Sequence, residues 1–280
     1  MLNRSMTDHY ANLKIVEGAS NSVPTYTAAQ VREAEQPLLE AGVPLMARAS
    51  WALAQVALAE LGLTEGERGV APVARPRALV LVGSGNNGGD ALYAGALLAD
   101  AGVQVDVVPV ATRWHPSGMD AALAAGAKRV LPFEVSETLE VVATAAGSER
   151  PDSPYDLVID GILGTGTGPD PSLRGEAADL VSDIWDFLDG ARYWPQVVAV
   201  DIPSGMHPDT GECPGVSLAA DVTVTFGGVK QGLVRDDAKW LVGEVILVQI
   251  GLEDELAKMD ATGEAEVQRI LRVGDTIVDD

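Results

Sequence analysis

The chain has 280 residues, with 41 acidic and 19 basic side chains and a formal net charge of −22. That surface repels nucleic-acid phosphates and excludes a general nucleic-acid binder; an anionic substrate must be held by local backbone donors and a bound cation, not by a broad positive field. No run reaches the ~18 apolar residues of a transmembrane helix, and residues 1–24 lack the apolar centre of a signal peptide, so no membrane partner and a cytoplasmic location are expected.

Residues 1–24 are polar and mixed and read as a loosely held N-terminal arm. Thr27-Ala-Ala-Gln30 has the spacing of a capping box and opens a helix to about Glu40, broken by Ala41-Gly-Val-Pro44. A second helix runs from about Pro44 to Leu61, stopped by Gly62. Apolar residues cover most of its circumference, so it serves either packing against a sheet or a homodimer contact. Strand runs then recur at Ala78–Val82, Val103–Val110, Tyr155–Ile159, Val197–Ile202, Val222–Phe226 and Val245–Ile250, with a short candidate at Arg129–Phe133. Helical stretches separate the earlier runs. The expected architecture is therefore a three-layer α/β/α Rossmann-like fold with a mostly parallel central sheet, spanning residues 25–252. The single cysteine, Cys213, excludes an intramolecular disulfide, fits a reducing compartment and reads as an incidental thiol. Residues 253–280 form an acidic C-terminal tail, with an amphipathic stretch near Val267–Val273 that is a terminal helix or a frayed end.

Three strand ends carry the chemistry. The run at Ala78–Val82 leads into Gly83-Ser-Gly-Asn-Asn-Gly-Gly-Asp90, and a helix is expected from Ala91. Strand, glycine turn and helix N-terminus together turn backbone N–H groups toward an anion. Gly83, Gly85 and Gly88 match the dinucleotide fingerprint by count, but no acid stands at the tip of the second strand to hold a ribose, and Asp106 lies inside that strand. The second segment, Asp156-Leu-Val-Ile-Asp160, ends in a buried-looking carboxylate and opens into a Gly-Thr loop reaching Gly168-Pro-Asp170. The third, Val198-Ala-Val-Asp201-Ile-Pro-Ser204, repeats the pattern of a strand ending in an acid. Ligands of open parallel sheets sit outside the strand carboxyl ends, so these loops face one crevice. Lys230, in the turn after a fourth strand, is a secondary candidate, because a lone lysine is more often solvated.

These residues resemble the NAD(P)H-hydrate epimerase family, the YjeF N-terminal domain. Its glycine–asparagine loop, V-D-A-x-x-G-T-G, D-I-P-S-G-x-x-x-x-T-G and T-F-x-x-x-K-x-G segments correspond in order to Gly83–Asp90, Ile159–Gly166, Asp201–Gly211 and Thr225–Gly232. Pro44-Leu-Met-Ala-Arg-Ala49 and Gly243-Glu-Val-Ile-Leu-Val-Gln-Ile-Gly251 match as well. The resemblance implies an isomerase acting on hydrated NADH or NADPH (NADHX, NADPHX), interconverting the R and S epimers at C6 of the nicotinamide ring in metabolite repair. It implies a potassium ion held by Asn87, Asp160 and Ser204. It implies substrate contacts from Asn86, Asn87, Gly88, Gly89, Asp90, Gly164, Thr165, Gly166, Thr167, Gly168, Pro169, Asp170 and Asp201. Hard oxygen donors of this kind suit a weakly charged cation. The chain departs from the family at Ala91, usually glycine, and at Val110–Arg113, where a lysine is common. A dehydratase, fused in many bacterial members, is expected here as a separate chain.

Epimerisation needs one group that gives and takes a proton near C6, and Asp201 is the expected acid/base. Ring opening to an aldehyde is a second route. Two rival readings are a non-catalytic nucleotide-binding module of the same fold and an NAD-dependent dehydrogenase.

Overall fold

The computed structural model describes residues 13–17, 22–63 and 76–275. Its strands are β1 (Leu13–Glu17), β2 (Ser22–Tyr26), β3 (Arg77–Val82), β4 (Gln104–Pro109), β5 (Lys128–Arg129), β6 (Leu157–Gly161), β7 (Gln196–Val200), β8 (Val222–Phe226), β9 (Val229–Lys230), β10 (Glu244–Gln249), β11 (Gly263–Glu266) and β12 (Arg269–Asp275). The longer helices are α1 (Ala28–Glu40), α2 (Leu45–Glu60), α3 (Asn86–Asp100), α4 (Pro116–Ala124), α5 (Pro132–Ala146) and α6 (Glu176–Gly190).

The expected capping box is present at the start of α1. Thr27 Oγ1 accepts from Gln30 N at 3.2 Å, and Gln30 Oε1 accepts from Thr27 N at 2.8 Å. This satisfies two groups that the helix end would otherwise orphan.

Nine strands form the main sheet in the order β1-β12-β10-β8-β7-β6-β3-β4-β5. Every pairing is parallel except β1 with β12. Helices cover both faces, so the strands are apolar on both sides, as a parallel sheet requires. Within β3, Ala78, Val80 and Val82 enter the core beneath α2, α3 and α4, while Leu79 and Leu81 enter the core beneath α5 and α6. The three-layer α/β/α architecture follows. The buried apolar residues of α2 all join the first of these cores, so its apolar circumference packs within the chain.

The division into arm, domain and tail is corrected by the strand pairing. β12 lies beside β10 within the main sheet, and β1 closes that edge. β2 stands between β11 and β9 in a second, three-stranded sheet. Residues 253–275 are thus neither a terminal helix over 267–273 nor a frayed end. Residues 1–12, 18–21 and 276–280 lie outside the described residues. Among the described residues no helix is long and apolar enough to cross a membrane.

The chain runs outward from β3 to β4 and β5, then returns to β6 on the other side of β3. The two loops leaving β3 and β6 therefore diverge, and a crevice opens between them at the carboxyl ends of the strands.

Candidate functional site

The crevice has a volume of about 430 Å³, within the usual range for a small-molecule site. The loop after β3, the loop after β6, the ends of β7 and β8, Lys230 and the inner face of α1 all contribute to its wall.

α3 begins at Asn86, with Gly85 as its N-cap, so Asn86 to Asp90 form its first turn and do not precede it. The expected start at Ala91 is corrected. Gly85 offers no side chain to the free N–H groups of that turn, and Ser84, Gly85 and Asn86 are exposed. That leaves an uncapped helix N-terminus open to an anion. The other glycines of the loop have packing duties. A Cβ on Gly83 would lie 1.7 Å from the Ile162 carbonyl oxygen, and one on Gly88 would lie 2.2 Å from that of Gly83. A Cβ on Gly89 would meet Met46 of α2 at 3.0 Å.

Asn87, Asp160 and Ser204 come together beneath the crevice. Asp160, at the end of β6, is 1% exposed. Its Oδ1 accepts from the Ser204 hydroxyl at 2.6 Å and from Ile162 N at 3.3 Å, and its Oδ2 accepts from Ser204 N at 2.8 Å. Burial pushes this carboxyl above its ordinary range, and the bonds from Ser204 and Ile162 pull it back. Asn87 Nδ2 donates to Val200 O at 2.5 Å and Leu163 O at 3.2 Å, tying α3 to the ends of β6 and β7. A Cβ on Gly164 would stand 2.2 Å from Asn87 Oδ1, so the loop can close over that amide only with glycine there.

Asp201 follows β7 with φ +67°, the only non-glycine residue with positive φ among the described residues. Such a conformation costs of order 1–3 kcal/mol and persists where its surroundings over-determine it. Here they do. Asp201 N donates to Val224 O at 2.8 Å, while Asp201 Oδ1 accepts from Thr225 Oγ1 and Phe226 N, each at 3.2 Å, and from Lys230 Nζ. Lys230 is 1% exposed and also donates to Phe226 O at 3.0 Å. The expectation of a solvated lysine is corrected: Lys230 is the largest fully buried side chain among the described residues, and its ammonium forms an ion pair with Asp201. Among the described residues, all the hydrogen bonds to the Asp201 side chain fall on Oδ1.

Asp90 is 7% exposed and lines the crevice, and its Oδ1 has no hydrogen-bond partner. Burial holds this carboxyl well above its ordinary range, and the nearby charges of Asp201 and Glu35 push the same way. Thr167 Oγ1, also on the crevice wall, is likewise buried without a partner. Unsatisfied buried polar atoms are costly, and two on one wall point to a ligand.

Gly164, Thr165, Gly166 and Thr167 line the crevice, whereas Gly88, Gly89, Gly168, Pro169 and Asp170 are not in its wall. Asp170 is exposed, lowered to about 2 by hydrogen bonds from Ser172 and by Arg174. Sequence reasoning missed Glu35 and Arg32. Val31, Glu35 and Leu39 repeat at i, i+4 and i+8 and all reach the crevice, so a glutamate on the apolar stripe of α1 was the available signal. Burial raises the Glu35 carboxyl, and Lys230 opposes that rise. Asp106, the one acid in β4, bonds Arg77 Nε at 3.0 Å and the Tyr155 hydroxyl at 3.2 Å, which removes it as a ribose ligand.

The family model described as YjeF-related protein N-terminus matches residues 42–232. An NAD(P)H-hydrate epimerase from Microbacterium testaceum is 46% identical, covering 86% of this chain and 83% of that relative. A bifunctional NAD(P)H-hydrate repair enzyme from Mycobacterium leprae is 37% identical over 81% of this chain but only 41% of its own length. The crystal structure of a yeast protein superposes with a TM-score of 0.60 at 19% identity, covering 77% of this chain and 86% of that one, which supports the fold alone. The chain belongs to the NAD(P)H-hydrate epimerase family, whose shared unit is the YjeF-related N-terminal domain.

Proposed function

We propose that this protein is an isomerase that interconverts the R and S epimers of hydrated NADH and NADPH. One observation carries the reading: a single crevice joins an uncapped helix N-terminus, suited to a dinucleotide phosphate, to a cluster of carboxyls around one buried lysine. Relatives of the same family bear the name of this activity.

In the hydrate, C6 of the ring carries both a hydroxyl and a bond to N1. Protonating the hydroxyl lets the N1 lone pair expel water and leaves a planar iminium, to which water returns on either face. Asp201, whose Oδ2 meets no donor among the described residues, takes the proton of the water that returns to C6. Lys230 holds the Asp201 carboxylate in place, and Asn86, Thr165 and Thr167 line the wall against the substrate. Asn87, Asp160 and Ser204 fit a potassium ion, because Asp160 is a buried carboxylate with no basic side chain bonded to it and every donor is a hard oxygen. The ion would supply the counter-charge for Asp160. The protein works as a homodimer in the cytoplasm, in partnership with an NAD(P)H-hydrate dehydratase activity.

Incubating the pure protein with separated R-hydrate and following the S epimer by chromatography tests the activity. Unchanged R-hydrate, with enzyme in excess, would sink it.

A further inference from the structure

We propose that Asp90 is the proton donor at the C6 hydroxyl, paired with Asp201 as the acceptor from the returning water. This inference rests on the epimerase reading and assigns to Asp90 a step beyond binding.

The geometry separates the two carboxyls. Asp201 is ion-paired with Lys230 and accepts further bonds from Thr225 and Phe226 N. Asp90 has no such company: it is 7% exposed, and its Oδ1 meets no donor. A buried carboxyl without a counter-ion or a hydrogen-bond donor keeps its proton, because the charged form bears the full cost of desolvation. The charged groups around it reinforce this. Glu35 on α1 and Asp201 both oppose its ionisation, and Lys230 is engaged with Asp201. On the helices beside α3, Arg48 of α2 donates to the Ile250 carbonyl at 2.8 Å, and His115 Nδ1 at the start of α4 accepts from Gly118 N at 3.0 Å. Arg32, on α1, lies on the crevice wall and acts on Glu35. No cation is bonded to Asp90 among the described residues. One carboxyl without a cation and one paired with an ammonium divide into acid and base.

They also enter the crevice from different sides. Asp90 rides on α3, which follows β3, and Asp201 follows β7; β6 lies between those strands. In one direction, the Asp90 carboxyl O–H bond breaks and its proton joins the C6 hydroxyl. The C6–O bond then breaks with both electrons leaving on water, while the N1 lone pair forms the N1=C6 bond. Water adds to the other face of C6, the N1=C6 pair returns to N1, and the added water loses a proton to Asp201 Oδ2. Asp90 is then ionised and Asp201 protonated, the state that runs the reverse epimerisation. Proton exchange through the open crevice resets the pair. Nothing is oxidised or reduced.

Asp90→Asn and Asp90→Glu are compared with wild type, using separated R- and S-hydrates of NADH across a pH series. Asp90→Asn should fold, lower kcat at least about 10²-fold and move KM less than about threefold, because an amide keeps the shape but cannot donate the proton. Wild-type kcat should fall as pH rises through the titration of the Asp90 carboxyl, and Asp90→Glu should recover part of the rate with a shifted limb. Infrared difference spectra of wild type against Asp90→Asn should carry a protonated carboxyl band near neutral pH. A wild type that epimerises while Asp90→Asn keeps kcat within threefold overturns the inference alone, as does a missing carboxyl band. A wild type that leaves the epimers unmixed overturns the epimerase reading, and the inference falls with it.

Discussion

Lys230 donates from one ammonium to Asp201 Oδ1, Thr225 Oγ1 and Phe226 O, deep enough that it is 1% exposed. β2 pairs alongside, with Tyr26 opposite Lys230, so the N-terminal strand braces the residue that holds Asp201. A buried pair of this kind fixes a geometry more than it adds stability, since desolvation consumes most of the Coulomb gain.

Removing one partner is therefore costly. Lys230→Met should destabilise the fold by about 3–5 kcal/mol, because it strands a buried carboxylate. Adding Asp201→Asn should restore part of that loss. Urea unfolding of both single variants and the double variant measures the coupling, and strict additivity would show the ion pair to be unimportant.

Asp160→Asn removes the formal charge at the proposed cation site but keeps the shape that meets Ser204. Wild type should melt at a higher temperature in potassium than in an equal concentration of a bulky organic cation, since a ligand of the native state stabilises it by mass action. The variant should lose that difference and become slower in epimerisation. Equal potassium responses in melting and rate would remove the ion from Asp160.

Gly164→Ala should act through Asn87. The new Cβ would overlap the Asn87 amide, with Oδ1 at 2.2 Å, and turn it away from Val200 O and Leu163 O. Unpairing such buried carbonyls costs about 1–3 kcal/mol. Thermal melts should fall accordingly, and in an Asn87→Ala background the same substitution should cost little.

The Asp90 carboxyl gives the folding equilibrium a definite pH slope. Its titration is raised in the folded protein, chiefly by burial, from an ordinary value of 3.8. Above that value the folded state holds a proton that the unfolded chain has lost, so Asp90's contribution to stability falls as pH rises, until the folded carboxyl itself ionises. Asp90→Asn removes this slope. Chemical denaturation from pH 4 upward should show wild type losing stability relative to the variant; parallel curves would mean that Asp90 titrates normally.

Much of the scaffold was legible from local pattern. The runs that became β3, β6, β7 and β10 are largely apolar because each strand is covered on both faces; β8 is as deeply buried, with Thr223 and Thr225 between its apolar residues. The capping box at Thr27 and Gln30 was equally plain, since both partners lie within one turn. That acids and hydroxyls at strand ends face a common crevice followed from parallel topology alone.

What stayed hidden depends on partners far apart in the chain. β12 carries Arg269 and Arg272 among apolar residues, and only its pairing with β10 on one side and β1 on the other distinguishes it from an amphipathic helix. Asn86 to Asp90 could be placed inside α3 only once the Gly83 turn was seen pressed against Ile162. Lys230 is buried because Asp201, 29 residues earlier, is brought against it by the β7–β8 pairing. Glu35 reaches the same crevice from the first long helix. Composition and periodicity thus determined the layers and the strand ends; tertiary packing decided which carboxyl sits beside a cation and which does not, because desolvation and charge pairing depend on distances that local sequence does not encode.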